Sequence, residues 1–269
     1  ARLGHGNALA QVYNHVILPL ANTRDKRTQI LWGLADFRAR YGREAEGMWL
    51  SETAVNLDTV KILIECGVHF IVLSPTQAEA VRPLKGGEWQ DVSNNSVDTS
   101  APYLVKCGEG SLAVFFYDMD ISKSVGFEHL LTSADNFRNR IIAAYRDEAA
   151  GQMVNIATDG ESYGHHEPFA NMCLATMISV NGENPAFRMT NYGWNLEKFP
   201  PVREVRLKEG NNGLGTAWSC AHGVGRWMED CGCSGGGGPG WNQKWRGPLR
   251  HALDWLRDTG LSGSKEGCA

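Results

Sequence analysis

Two short stretches constrain this chain more than any other feature. Val68 to Leu73 (VHFIVL) and Leu112 to Tyr117 (LAVFFY) are almost wholly apolar and rich in β-branched and aromatic side chains. Runs of that length and make-up read as strands buried on both faces, and such strands belong to sheets covered by helices. The intervening sequence supplies the helices. Thr23 to Tyr41 carries Ile30, Leu31, Leu34 and Phe37 as one apolar stripe, with Thr23 or Asp25 to cap it and Gly42 to end it. A second helix, about Asp58 to Glu65, turns Val60, Leu63 and Ile64 inward and stops at Gly67. Ser133 caps a third through Phe137, Ile141 and Tyr145, and a fourth runs from Pro168 to Val180 with proline in its first turn.

Two more apolar stretches complete the alternation. Glu46 to Leu50 is a short run leading into Ser51-Glu52-Thr53, and Met153 to Ala157 reads as a strand ending at Thr158-Asp159-Gly160. Strands alternating with helices at this spacing predict a parallel α/β architecture, which places chemistry at the carboxyl ends of its strands. Glu52 and Asp159 both fall there. From Thr76 to Gly110 the pattern breaks down: Pro83, Gly86, Gly87, a polar DVSNNS run and Pro102 predict a long connection or subdomain. After Asn191 come Pro200-Pro201, a short Val-rich segment (VREVRL), a glycine run from Gly235 to Gly240, and an amphipathic helix from about Lys244 to Arg257, with a frayed tail from Gly260 to Ala269.

Composition narrows the partners. With 269 residues the chain can bury a substantial core, and a net charge of −4 with no basic patch points away from nucleic acid and anionic membranes. No apolar run approaches the length of a membrane span. A neutral substrate fits better than a polyanion, and no cofactor is expected. Seven cysteines, several inside apolar stretches such as Cys66 and Cys173, suit a reducing compartment and hence the cytoplasm, although the first residue is not Met. Oligomeric state is not readable.

Glycoside hydrolysis needs two carboxyl groups flanking the scissile bond, one protonated and one ionised. Asp159 lies in TDGESYGHH, crowded by Glu161, His165 and His166, and such crowding can hold a carboxyl group protonated near neutral pH. Glu52 follows Met48-Trp49-Leu50, with Trp49 as an apolar wall for a sugar. Taken alone, Asp-Gly-Glu at a strand end is more often a turn with a cap.

Order and combination give these residues more weight. Asn14-His15-Val16-Ile17-Leu18-Pro19-Leu20, then Glu46 to Glu52 (EGMWLSE), then Asp159 to His166 (DGESYGHH) resemble three successive motifs of glycoside hydrolase family 57. The resemblance covers roughly residues 5–180, and Trp218 to Arg246 looks like the continuation in a less characterised branch. It implies an incomplete (β/α)7 barrel with a C-terminal helical extension, the barrel domain at 1–194 and the extension at 195–269. It further implies a retaining, double-displacement enzyme acting on α-glucans (α-amylase, 4-α-glucanotransferase or branching-enzyme type). Glu52 would be its nucleophile, Asp159 its general acid/base, and His15 a hydrogen-bonding residue beside the sugar. Two departures stand out. Ser51 occupies the position where the family has proline, and the sequence begins after the family's opening strand.

Other constellations compete with this one. Asp159, His165 and His166 offer the residue types of a metal-dependent polysaccharide deacetylase, and a missing first strand would suit a non-catalytic carbohydrate-binding remnant. Cys220-x-His222 and Cys231-x-Cys233 can satisfy tetrahedral zinc. Their spacing is tighter than the usual CxxC, so buried free thiols or a Cys231–Cys233 redox pair are preferred, and no metal is assigned. His222 and Trp218 alternatively reach the sugar cleft. The glycine run lacks the Lys-Ser/Thr ending of a phosphate-binding loop and reads as a loop over the cleft, with Trp241 and Trp245 as sugar platforms.

Overall fold

The computed structural model describes residues 3–146, 151–210, 213–233 and 238–264. The chain runs β1 (Ala10–Gln11), α1 (Thr23–Tyr41), β2 (Gly47–Trp49), α2 (Leu57–Glu65), β3 (Phe70–Leu73), β4 (Ala78–Pro83), β5 (Gln90–Asp91), β6 (Tyr103–Cys107) and β7 (Gly110–Phe116). It continues through α3 (Met119–Phe127), α4 (Ala134–Ala143), α5 (Ala170–Glu183), α6 (Tyr192–Lys198), β8 (Arg203–Leu207) and α7 (Arg246–Ser264). The tail from residue 265, with Cys268, and Gly235 to Gly237 of the glycine run lie outside the described residues.

One eight-stranded sheet holds all the strands among the described residues, in the order β1-β2-β3-β7-β6-β8-β4-β5. The first four are mutually parallel. β6 pairs antiparallel with β7, β4 antiparallel with both β8 and β5, and β6 parallel with β8. The fold is therefore α/β, as expected, with a parallel half carrying the α1 and α2 crossovers and a mainly antiparallel half. That arrangement is consistent with an incomplete barrel. The segment from 76 to 110, expected as a long connection or subdomain, supplies three of the strands. β8, although it comes after residue 194, is a member of the same sheet. No helix among the described residues is long and apolar enough to cross a membrane.

Alternation along the central strands divides the interior. Ile71, Leu73, Val114 and Phe116 face a core shared with Ile30 and Phe37 of α1 and Val60, Ile62 and Leu63 of α2. Phe70, Val72, Ala113 and Phe115 face the opposite way, where Trp49, Tyr192 and Trp218 pack over them. A third cluster joins Ile121, Phe137, Ile141 and Met177 among α3, α4 and α5.

Local chemistry accounts for the helix ends, with some corrections. Asn22, rather than Thr23 or Asp25, caps α1 by accepting from the Asp25 N–H at 2.8 Å, and Gly42 ends it in the left-handed conformation. The buried stripe of α1 is Lys26, Ile30, Gly33 and Phe37; Leu31 is exposed. Gly33 belongs to that stripe because a Cβ there would collide with the Gln11 carbonyl of β1. Ser133 caps α4 as expected. α5 starts at Ala170, after Phe169 turns the chain at φ 66°, so Pro168 precedes the helix.

The segment Met153 to Ala157 is not a strand. Its polar groups are satisfied one at a time. The Met153 N–H donates to the Ser100 carbonyl at 2.9 Å, the Asp118 N–H to the Asn155 carbonyl at 2.8 Å, and the Ala157 N–H to Ser122 Oγ at 3.1 Å. The Asn155 side chain donates to the Phe116 carbonyl at the end of β7, at 3.0 Å. The segment lies against β7 without forming a ladder.

Candidate active site

Glu52 sits three residues beyond β2, in a 3-10 turn from Ser51 to Thr53. Its φ is 58° and that of Thr53 is 52°, two successive side-chain-bearing residues in the left-handed region. Such a conformation costs about 1–3 kcal/mol per residue and persists only where neighbours over-determine it. Here they do. The indole N–H of Trp218 donates to Glu52 Oε2 at 3.0 Å, and the Ser219 hydroxyl donates to the same oxygen. The Trp218 backbone N–H bridges the Glu52 carbonyl at 3.1 Å and Thr53 Oγ1 at 3.1 Å. Among the described residues no hydrogen bond reaches Oε1 of Glu52.

Gln77, buried beneath this turn, completes the clamp. Its Oε1 accepts from Thr53 Oγ1 at 2.8 Å and from the Ser74 N–H at 2.9 Å. Its Nε2 donates to the Thr53 carbonyl at 2.9 Å and to Thr216 Oγ1 at 3.1 Å. With about 1 kcal/mol net per hydrogen bond, these contacts are of the size needed to hold the strained turn. Ser51 stands apart: its hydroxyl is buried with no partner among the described residues.

Asp159 occupies the N-cap position of a second 3-10 turn, Gly160 to Ser162, but its side chain makes no capping bond. The carboxyl group is left exposed on a cavity of about 1020 Å³. Glu52, Trp49 and Trp218 border that cavity on the sheet side, and Glu161, His165 and His166 border it on the Asp159 side. His15, itself at φ 53°, lines it beyond β1. Val72 and Tyr192 also line it. Burial pushes the Tyr192 phenol well above its usual pKa, so it remains a neutral donor, bonded to Asn155 Oδ1 at 3.3 Å.

A second cavity, of about 510 Å³, adjoins the first. Glu52 and Asp159 are the two carboxylates that border both, with Trp218 and His166. On the far side stand Lys123, Phe127, Ser219 and Arg226. Trp218 is held edge-on by Trp49, with ring centroids 5.3 Å apart, and by Tyr117 at 6.0 Å. Its indole therefore serves two purposes, as an aromatic wall and as a donor to Glu52.

Three residues expected at the sugar cleft are not brought there. Trp241 and Trp245 are exposed and His222 faces sulfur; none of them lines the two cavities. His222 Nδ1 lies 3.3 Å from Cys233 Sγ, and its group with Cys220, Cys231 and Cys233 keeps all four ligand atoms within 4.8 Å of one another. Burial, then the neighbouring thiols, push the Cys233 thiol up to about 11. Asp159, His165 and His166 form no such group of ligands among the described residues. Sequence reasoning missed Gln77 and Ser219. Gln77 had a local signal, since Ser74-Pro75-Thr76-Gln77 is a capping box and forms one; Ser219 had none.

A model of glycosyl hydrolase family 57 matches residues 4–201, about three quarters of the chain. The chain belongs to that family. A second family model, a domain of unknown function (DUF3536), matches residues 241–265. No curated protein matches the sequence. Among solved structures, the fold is shared with an exo-type maltose-forming amylase from Pyrococcus sp. ST04 at TM-score 0.67 and 14% identity, over 94% of this chain and 46% of that one. The branching enzyme of Pyrococcus horikoshii gives 0.64 and 16%, over 83% of this family 57 chain and 50% of its own. The 4-alpha-glucanotransferase of Thermococcus litoralis gives 0.60 and 19%, over 74% and 30%. This chain thus spans half or less of the length of these three relatives.

Proposed function

We propose that this family 57 chain carries the centre of a retaining glycoside hydrolase or transglycosylase acting on α-glucans. One observation carries the reading: Glu52 and Asp159 border both cavities, so a polysaccharide passing from one to the other would present a glycosidic bond between them. Glu52 attacks the anomeric carbon while Asp159 protonates the departing oxygen, leaving a glycosyl ester on Glu52. Asp159 then takes the proton from water or from a sugar hydroxyl, which displaces Glu52. Hydrolysis and transfer differ only in that acceptor. Trp218 and Ser219 tie down one oxygen of the nucleophile and fix its orientation. The larger cavity, lined by no Lys or Arg among the described residues, suits a neutral sugar chain. The glucanotransferase and the maltose-forming amylase among the solved relatives support α-glucan as the substrate class.

The test is turnover on starch and maltooligosaccharides, with products resolved by size and by anomeric configuration. Glu52→Ala and Asp159→Ala should each lose about 10²–10⁴-fold. Azide should partly restore Glu52→Ala by taking the place of the nucleophile, giving a glycosyl azide. Near-full activity in either variant would sink the assignment, and an inverted first product would overturn the retaining mechanism.

A further inference from the structure

The six cysteines among the described residues fall into two groups. Cys66 and Cys107 pack against the sheet core and Cys173 against the helical cluster, each as a small apolar side chain. The other three converge with His222 on one point. Cys220 Sγ is 3.9 Å from Cys231 Sγ and 3.9 Å from Cys233 Sγ, and His222 Nδ1 is 3.3 Å from Cys233 Sγ. Zinc bonds of about 2.3 Å to sulfur and about 2.0–2.1 Å to nitrogen give tetrahedral edges of about 3.5–3.8 Å between ligand atoms. These three separations are close to that size, and all four ligand atoms lie within 4.8 Å of one another. The two sulfur–sulfur separations are nearly twice the roughly 2.05 Å of a disulfide.

The surrounding chain is shaped for such a centre. Gly232, between Cys231 and Cys233, turns at φ 83°, a conformation open to glycine at little cost. Gly223 does the same at φ 82° directly after His222. Regular structure in residues 214–233 amounts to one 3-10 turn, Gly225–Trp227, and isolated bridges from Thr216 to Val55 and from Ala217 to Cys220. Its core is small: Ala54, Ala217 and Val224 are the fully buried members. So little apolar burial leaves the loop in need of another cross-link, and the free energy of binding a metal becomes free energy of folding.

We propose that Cys220, His222, Cys231 and Cys233 bind one Zn²⁺ ion as a closed Cys3His centre, which anchors the loop presenting Trp218 and Ser219 to Glu52. Four protein ligands leave no open position, so the ion is structural and takes no part in the reaction. Binding releases the thiol protons to solvent and uses the neutral imidazole through Nδ1, with its proton on Nε2. Trp218 and Ser219 lie immediately before Cys220, and Arg226 Nη1 fastens the Ser219 carbonyl at 2.9 Å. Loss of the ion would therefore loosen the two donors on Glu52 Oε2. The zinc centre itself does not depend on the proposed reaction, because metal content is read without a substrate.

The experiment is elemental analysis of the whole chain, purified without chelator and without a polyhistidine tag, before and after equilibration with Zn²⁺. The expected content is about one zinc per chain. Titration of the thiols with a mercurial should release that zinc. Cys231→Ser and Cys233→Ser should lose it and Cys66→Ser should keep it. Should a serine variant fail to fold, the unaltered chain still decides: exchange with Co²⁺ should give the intense absorption of a tetrahedral thiolate site. Zinc that stays substoichiometric after equilibration would overturn the proposal. So would retention of the metal by folded Cys233→Ser, or a disulfide among Cys220, Cys231 and Cys233 in the isolated protein.

Discussion

Glu52 is a carboxylate in a backbone conformation its side chain does not favour, and the residues that enforce it belong to three different parts of the chain. Thr53 and Gln77 hold it from below, and Trp218 and Ser219 from the side. Ser51, next to it, contributes a buried hydroxyl with no partner among the described residues. Removing an unpaired buried polar group relieves its desolvation, so Ser51→Ala should raise stability by about 1 kcal/mol in urea unfolding. A loss of similar size would show that the hydroxyl is bonded. At this scale the sequence was legible where chemistry clusters locally. Glu52, Asp159, Glu161, His165 and His166 were found in two short stretches and do border one cavity. Ser219 escaped notice because nothing in its own neighbourhood distinguishes a serine that reaches a residue 167 positions earlier.

Among the elements, β8 shows how a single buried charge fixes a sheet. Glu204, on β8, is buried and bonds Arg82 of β4 on one side and Lys106 of β6, at 2.7 Å, on the other. Burial alone would push its pKa up, but the hydrogen bonds from Lys106 and Arg82 prevail and hold it below the usual carboxylate range. A depressed folded pKa means stabilisation that is present above the ordinary value and lost as the pH falls through the folded one. Glu204→Gln should therefore lower stability by about 2 kcal/mol at neutral pH, between an exposed and a fully buried pair. Denaturant unfolding repeated in acid should show that difference shrinking; a constant gap would contradict the ion pairs. The helices α1, α2 and α4 were legible because Asn, Ser or Gly marks their ends, and the strands β3 and β7 because each is a continuous apolar run. β4, β5 and β6 were not, since Pro83, Gly86, Gly87 and Pro102 punctuate short strands whose partners lie far away in sequence. Met153 to Ala157 misled for the opposite reason. It has the composition of a strand, but scattered backbone and side-chain groups rather than a ladder take up its hydrogen bonds.

The whole molecule depends on one late strand. β8 joins β6 to β4, and its Val205 and Leu207 belong to the main core. A fragment ending at residue 201 would contain the whole of the family 57 match, yet β4 and β5 would be cut off from the rest of the sheet. We expect that fragment to unfold without cooperativity and to bind an apolar dye, whereas the whole chain should unfold sharply and bind little. A cooperative fragment would show that the sheet stands without β8. There is also a matter of timing. Pro83 leaves the ribosome about 120 residues before Arg203, roughly 6–24 s at about 5–20 residues per second. During that interval β4 and β6 each wait with an unpaired edge, a template for pairing with other nascent chains. Synthesis rate and chaperone supply, as much as final stability, should then govern how much of this protein a cell recovers in native form.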